Sequence, residues 1–270
     1  MRKFLQRYRY SWILLKELVK TGFKLRYQGS MLGMAWSVLK PMMLFAIMYV
    51  VFVQFLRFGE GIPHFAVSLL VAIVLWSFFT EATGQGMQSI VGRGDLLRKI
   101  NFPKYIIVIS ATVSALINLA INLAVVLVFA IINGVEFRLN ILLVPILILE
   151  LYVLALALAF LLSALYVKFR DIQHIWDVLM QGLFYATPII YPVAMIAVIN
   201  TTAAKVMMMN PVAQVIQDVR YNLVTTQTDT VWNFIDNRWI ALIPIFIVFF
   251  LIIISLIYFR RNSKKFAEAI

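Results

Sequence analysis

Side chains able to do covalent or acid–base chemistry are few in this sequence and lie far apart. Two histidines, His64 and His174, and three acidic residues within apolar stretches, Glu81, Glu150 and Asp177, are the candidates. The chain has no cysteine, which excludes disulfides and thiolate metal sites. None of its 11 glycines precedes a lysine, so the phosphate-binding loop of an ATP site is absent, as are the HExxH and GxSxG motifs of hydrolases. We therefore expect no catalytic site and no resident metal or cofactor in this chain.

A basic segment at residues 92–104 has the pattern of a binding element. Leu96, Leu97 and Ile100 recur at helical spacing among basic residues, and Phe102-Pro103 then ends the helix. Such a short helix could dock into a groove of a soluble partner. A simple basic membrane anchor would explain the charge but not the leucines, which we expect to be exposed.

Aromatic residues gather in three places. They are Phe45, Tyr49 and Phe52; Trp76, Phe78 and Phe79; and Phe184, Tyr185 and Tyr191. Rings on one helix face can stack on sugars or let a long apolar chain slide past. Helix packing and interfacial anchoring are the ordinary uses of such rings, and from the residues alone they are the favoured interpretation.

The composition shows which elements must carry these residues. Of 270 residues 63% are hydrophobic and only 13% are charged, against roughly a half and a quarter in soluble domains. The net charge of +12 is spread along the flanks of apolar blocks and forms no stripe, which argues against nucleic acid as a partner. The sequence predicts an all-α integral membrane protein.

Six stretches are long enough to cross about 30 Å of hydrocarbon as helices. They are residues 36–56, 65–80 with a more polar continuation to 90, 105–132, 141–167, 175–191 and 240–259. The fifth is the weakest, because Asp177, Gln181 and Gly182 interrupt it and two prolines follow.

Lysine and arginine in the loops predict the orientation. Nineteen of the 24 fall on the side of the termini, and the other five are Arg57, Arg138, Lys205, Arg220 and Arg238. Both termini are therefore expected in the cytoplasm, with no cleavable signal peptide. His64 and His174 then lie on opposite sides of the membrane and cannot share a metal. Glu150 lies deep in the fourth span, and a structural and a functional role remain equally open for it.

Two segments outside the spans carry further patterns. Residues 10–27 place Lys16, Lys20 and Lys24 on one helical arc and apolar residues such as Trp12 and Val19 on another, which is typical of an interfacial helix. Residues 193–239 are too apolar for a free loop, and we expect short or re-entrant helices there. The chain is thus one membrane domain over 1–270, with a cytoplasmic arm (1–35), a six-helix part (36–260) and a cytoplasmic tail (261–270).

Scattered motifs add a family resemblance that covers nearly the whole chain. They are Leu25-Arg26-Tyr27, Ser30, Leu32, Gly33, Trp36 and Pro41; Leu75, Trp76, Phe78 and Phe79; Asn101-Phe102-Pro103; Phe169-Arg170-Asp171; residues 187–192; and Asn210-Pro211. In this order and spacing they resemble the ABC-2 type permeases that export polysaccharides, and most of all those for wall teichoic acid or O-antigen.

The resemblance implies a machine of several chains. Such permeases are homodimers that bind two copies of a separate nucleotide-binding subunit, where ATP and Mg²⁺ are held. They move an undecaprenyl-linked polymer across the bacterial plasma membrane. On overall likeness, wall teichoic acid is the favoured cargo and O-antigen the next.

The resemblance also implies roles for particular residues. Coupling to the ATPase is expected at Arg93, Asp95, Leu96, Leu97, Arg98, Lys99, Ile100, Phe102 and Pro103, with a second contact at Arg170 and Asp171. The channel is expected to be lined by Phe45, Tyr49, Phe52, Trp76, Phe79, Phe184, Tyr185 and Tyr191. A headgroup entrance is expected at Arg7, Arg9 and Lys40, whose basic charge could equally serve as a topology anchor.

Two alternatives remain open. One is an ABC-2 exporter of a drug or a lipid. The other is a channel or secondary carrier without a motor, against which the scarcity of ionisable groups in the spans and the lack of paired broken halves both count.

Overall fold

The computed structural model describes residues 2–27, 29, 31–100 and 102–266. Within these residues the chain is helical and has no β-strand, as the sequence predicts. The α-helices are α1 (Arg2–Tyr27), α2 (Trp36–Met48), α3 (Phe65–Ser89), α4 (Gly94–Lys99), α5 (Tyr105–Ile132), α6 (Val144–Lys168), α7 (Ile172–Ala186), α8 (Val193–Ile199), α9 (Thr201–Met208), α10 (Pro211–Leu223), α11 (Val231–Phe234), α12 (Arg238–Ala241) and α13 (Ile243–Asn262). Asn101, in the family motif, lies outside the described residues.

Five helical segments are long and apolar enough to cross a membrane. They are Gly33–Phe55, Phe65–Ser89, Tyr105–Ile132, Leu139–Lys168 and Ile243–Lys265, which correspond to the first four and the last of the predicted spans. The chain therefore has the build of a multi-pass membrane protein.

The predicted fifth span is shorter than expected. Its helix, α7, has 15 residues and ends at Ala186, which gives about 22 Å at 1.5 Å per residue. Thr187 is extended (φ −99°, ψ 137°), because the ring of the following Pro188 disfavours helical backbone in the residue before it. The expectation of one continuous helix to residue 191 is wrong.

The helix α3 is the centre of the bundle. In its most apolar stretch 78% of the residues are buried, and it packs against α5, α6, α2, α7 and α10. Gly86 marks the closest approach, since a Cβ there would lie 2.4 Å from the Cβ of Ala159 on α6. A small residue at this crossing lets two membrane helices pack backbone to backbone.

The first span is the most exposed of the five. Only 6% of its most apolar stretch is buried, so most of its surface is left for lipid or another chain. From Tyr49 to Phe55 it winds as a π-helix, a wider helix that often occurs at functional sites.

A second hydrophobic cluster lies at the end of the bundle that holds α4, and we call it the basal cluster. Its buried members are Ile90, Leu97, Phe102, Ile107, Val108, Ala159, Phe160, Ala164, Val167, Phe259 and Phe266. The helix α1 packs along α5 and adds Leu14 and Leu18 to this cluster. Val19 of the predicted apolar arc is half-buried, and the lysines at 16, 20 and 24 are exposed, as the predicted split of α1 requires. Trp12, at the start of the same arc, is 62% exposed, which leaves it available to a membrane surface.

The segment between α7 and α13 folds into short helices, as predicted. Among them α10 is the most buried, with eleven of its 13 residues inside the protein. Asn210 caps it by accepting a hydrogen bond from the Val212 amide, and Pro211 occupies the first helical position, where no amide hydrogen is needed. This cap explains the Asn-Pro pair of the sequence motif.

Candidate functional site

A cavity of about 830 Å³ lies between α2, α3, α5 and α7. It is open on one side, where Trp36 is 44% and Tyr185 61% exposed. Its walls differ in chemistry. The aromatic lining residues are Trp36, Trp76, Phe78, Phe184 and Tyr185, and the polar ones are Ser37, Lys40, Ser77, Thr80, Glu81, Gln85, Asn118, Asn122 and Gln181.

The aromatic wall is built by α3 and α7. The rings of Trp76 and Phe184 meet edge to face with centroids 5.9 Å apart, and Phe184 meets Tyr185 in the same way at 5.3 Å. Edge-to-face contact fixes the ring orientations, and of the three rings Phe184 is half-buried and Tyr185 is exposed. Three of the eight aromatic residues expected in the channel thus line one surface.

The other five aromatic residues lie elsewhere. Phe79 is 3% exposed and sits behind Trp76, with ring centroids 5.9 Å apart. Phe45, Tyr49, Phe52 and Tyr191 pack against the central core and lie outside the lining of the cavity.

The polar wall is an ordered set of amides around one carboxylate. Asn118 Nδ2 donates to Glu81 Oε1 at 2.7 Å, and Gln85 Nε2 donates to the same oxygen at 3.1 Å. One turn further along α5, Asn122 Nδ2 donates to the Ser37 carbonyl at 3.1 Å and ties α2 to the bundle. Sequence reasoning missed Asn118 and Asn122, although two amides four residues apart on an otherwise apolar helix were a usable signal.

The lining of this cavity is suited to binding a ligand with both apolar and polar surfaces. Rings on one wall and hydrogen-bonding amides on the other match a ligand that presents both C–H faces and hydroxyl groups, as a sugar chain does. Within the described residues no group of three or more His, Asp or Glu side chains could hold a metal ion.

At the other predicted site, α4 turns part of its apolar face inward. Leu97 is 7% exposed and Phe102 is 6% exposed, and both belong to the basal cluster. Leu97 is therefore not exposed as expected, because it is the residue that anchors a six-residue helix. The outward face consists of Asp95, Arg98, Lys99 and Ile100, with Leu96 and Pro103 half-buried beside it.

Arg93 also points inward. Its Nη1 donates to Ser110 Oγ at 3.0 Å and its Nη2 to the Leu18 carbonyl at 3.5 Å, so it joins α1, α4 and α5. Burial lowers the pKa of this guanidinium from its usual value. The residue predicted to face a partner instead holds three elements together.

The second predicted contact, Arg170-Asp171, lies in the exposed turn between α6 and α7. The Arg170 guanidinium lies 5.2 Å from the ring centroid of Tyr166, a cation–π contact that orients it. Of the predicted entrance residues, Lys40 lines the cavity, whereas the side chains of Arg7 and Arg9 on α1 lie outside the described residues.

A fully buried arginine on α10 closes the break after α7. Arg220 Nε donates to the Ser68 carbonyl of α3 at 2.9 Å, Nη1 donates to the Pro188 carbonyl at 2.7 Å, and Nη2 donates to the Ile189 carbonyl. An arginine side chain keeps its proton in proteins, so this buried guanidinium remains a cation. The carbonyls freed where the helix breaks thus gain their donors from α10.

Glu150 of α6 also meets α10. Gln214 and Asp218 of that helix lie near it, and Gln214 Nε2 donates to Asp218 Oδ2 at 2.8 Å. Trp232 Nε1 donates to the same Asp218 oxygen at 3.1 Å. Among the described residues Glu150 Oε1 is buried without a hydrogen-bond partner.

Comparison with known proteins agrees with this geometry. Residues 13–224 match the model of the ABC-2 type transporter family, a range that contains the cavity, α4 and Arg220. The chain is 32% identical over 189 residues to the O-antigen export system permease protein RfbA of Myxococcus xanthus, covering 70% of this chain and 72% of that protein. It is 25% identical over 260 residues to the protein of the same name from Klebsiella pneumoniae, covering 96% and 95%. The chain belongs to the ABC-2 type transporter family.

Proposed function

We propose that this chain is the membrane subunit of an ATP-driven exporter that moves an undecaprenyl-linked polysaccharide across the bacterial plasma membrane. The names of its relatives favour an O-antigen as the cargo. Wall teichoic acid, which the sequence resemblance alone puts first, is the second candidate. ATP and Mg²⁺ belong to a separate ABC ATPase subunit.

The observation that carries this proposal is the two-sided lining of the 830 Å³ cavity. A sugar chain has apolar C–H faces that fit Trp76 and Phe184, and hydroxyl groups that fit the amides held around Glu81. Contacts of this kind are individually weak, and a polymer can exchange one for the next as it moves.

The open side of the cavity supports a homodimer. Few residues of the first span are fully buried in the single chain, although one side of it packs on the core, and Tyr185 at the cavity mouth is 61% exposed. A second copy placed against this side would close the path and bury these surfaces. The translocation path is then formed by both protomers.

Six crossings with both termini in the cytoplasm remain our proposal for the topology. Here α7 and the irregular segment 187–192 together complete the fifth crossing. Irregular backbone at membrane depth is tolerated where the protein satisfies it, and Arg220 does so for Pro188 and Ile189. The short helices α8 to α10 then lie in the outer leaflet.

The ATPase docks, in this proposal, on the outward face of α4 and on the Arg170-Asp171 turn. ATP binding closes the two ATPase subunits and pushes the α4 helices of the two protomers together. The protomers rock in response and open the path to the lipid-linked headgroup. Lys40, exposed at the cavity, supplies a cation for its phosphate.

The test is export by the complex reconstituted in proteoliposomes with lipid-linked O-antigen or teichoic acid. Replacing Phe184 and Tyr185, which line the cavity and are not fully buried, with alanine is expected to lower export by roughly 5- to 150-fold, at about 0.5–1.5 kcal/mol per lost aromatic contact. The matched control replaces Phe249 and Phe250, each 63% exposed on α13, which line no cavity. Equal export by both double variants would refute the cavity as the path, and export of one cargo alone would identify the polymer.

A further inference from the structure

The segment after α13 folds back onto the protein. A 3-10 turn, Ser263–Lys265, leads to Phe266, which is only 2% exposed. The basic residues around it would suffice as a topology anchor. A buried phenylalanine in this basic tail needs another explanation.

Phe266 belongs to a row of three rings. Its centroid lies 5.5 Å from that of Phe259 on α13, which lies 4.8 Å from that of Phe160 on α6. Both contacts are edge to face, the arrangement that adds attraction beyond simple burial. The tail is thereby fixed to two spans.

Lys104 joins the same tail to the loop of α4. Its Nζ donates to the Ser263 carbonyl at 2.6 Å and lies 5.9 Å from the ring centroid of Phe266. A charged donor makes this hydrogen bond stronger than one between neutral groups. Lys104 directly follows Phe102-Pro103, so the bond reaches the end of the α4 loop.

The α4 helix depends on the basal cluster for its position. It has six residues, too few to be stable alone, and Leu97 anchors it within the basal cluster. Phe102, Phe259 and Phe266 belong to that cluster as well. Phe259 and Phe266, more than 150 residues further along the chain, therefore form part of the surface against which α4 packs.

We propose that the tail is a positioning element for the docking helix. Through Phe266 and the Ser263 carbonyl it ties α4 to α13, so that a push on α4 moves the last span together with its neighbours. The inference rests on the proposed function, in which α4 receives the ATPase. It deepens that function by assigning a role in transmission to Phe266 and Lys104.

The test measures polymer exported per ATP hydrolysed by the reconstituted complex. Phe266→Ala and Lys104→Gln are expected to lower this ratio by roughly 3- to 30-fold, while the ATPase subunit still copurifies and hydrolyses ATP. Phe250→Ala, with its exposed ring, and Lys264→Gln, an exposed lysine of the same tail, are the matched controls. Both controls are expected to keep the wild-type ratio.

Lys104→Gln decides the matter if Phe266→Ala fails to assemble, because it removes the charge that faces the Ser263 carbonyl and leaves Phe266 in the basal cluster. A wild-type ratio in Lys104→Gln would overturn the inference. A separate variant tests the proposed function itself. If the ATPase does not dock on the outward face of α4, Ile100→Asp on that face will leave ATPase copurification unchanged. The tail variants are expected to leave copurification unchanged and to lose coupling.

Discussion

Arg220 offers the sharpest test of how the outer part of the protein is held together. Its guanidinium donates to the buried carbonyls of Ser68, Pro188 and Ile189, and methionine keeps much of its length while removing every donor. Each buried carbonyl left without a donor costs about 1–3 kcal/mol. Three such carbonyls at the lower bound give a loss of about 3 kcal/mol in the free energy of unfolding. The lower bound applies because the variant no longer buries a desolvated cation, which offsets part of the loss.

The assay is thermal unfolding of the purified chain in detergent. At about 2–4 °C per kcal/mol, Arg220→Met is expected to lower Tm by about 6–12 °C. Arg220→Lys is expected to lose as much, since one ammonium cannot reach three diverging carbonyls and its charge stays buried. The control is Arg138→Met, an exposed arginine that meets only Thr226, with a change near zero. A Tm for Arg220→Met equal to that of the control would refute the reasoning.

Three further predictions concern packing, the cavity and docking. Gly86→Val is expected to lower the free energy of unfolding by at least about 1–3 kcal/mol, because the added Cβ would overlap α6. Gly84→Val is the control for the same thermal unfolding measurement, and it is expected to be tolerated because a Cβ there meets open space. Gln85→Leu is expected to lower export and leave Tm nearly unchanged, since it removes a half-buried donor to Glu81 at the cavity wall. Arg98→Glu with Lys99→Glu is expected to abolish copurification of the ATPase while monomer Tm is kept, because both side chains are exposed on α4.

The long helices could be predicted because length and apolarity suffice for them. The segment 105–132 carries no charge, and its predicted bounds are those of α5. The end of α7 required a local rule as well: Thr187 precedes a proline, and this position leaves the helix although the residues beyond it are still apolar.

Counting the basic residues of each loop does not reveal the structural role of Arg220. In the sequence it is one of five basic residues predicted to lie on the outer side, and nothing in its type separates it from exposed Arg138. Its role depends on Ser68 and Pro188, which lie 152 and 32 residues away along the chain. Contacts at such separations leave no mark on the periodicity of a single sequence.

The sequence predicts which helices carry the aromatic residues of the candidate site, but it does not predict which of these residues line the cavity. Helical spacing located the aromatic residues, but which of them line the cavity depends on how helices pack, and a π-helix over Tyr49–Phe55 changes the face that each residue presents. The same holds for Leu97, where apolarity indicated a docking surface and the residue serves as an anchor. Apolar residues on a short helix must first hold it in place.

The most direct test of the central claim is labelling of a single cysteine in the cavity while polymer passes through it. The chain has no cysteine of its own, so Tyr185→Cys and, as a control, Asp236→Cys, at an exposed position outside the candidate spans, can each be labelled alone. With the ATPase, ATP and lipid-linked polymer present, protection of position 185 and free labelling of position 236 are expected. Equal labelling of position 185 with and without polymer would contradict the assignment of this cavity as the export path.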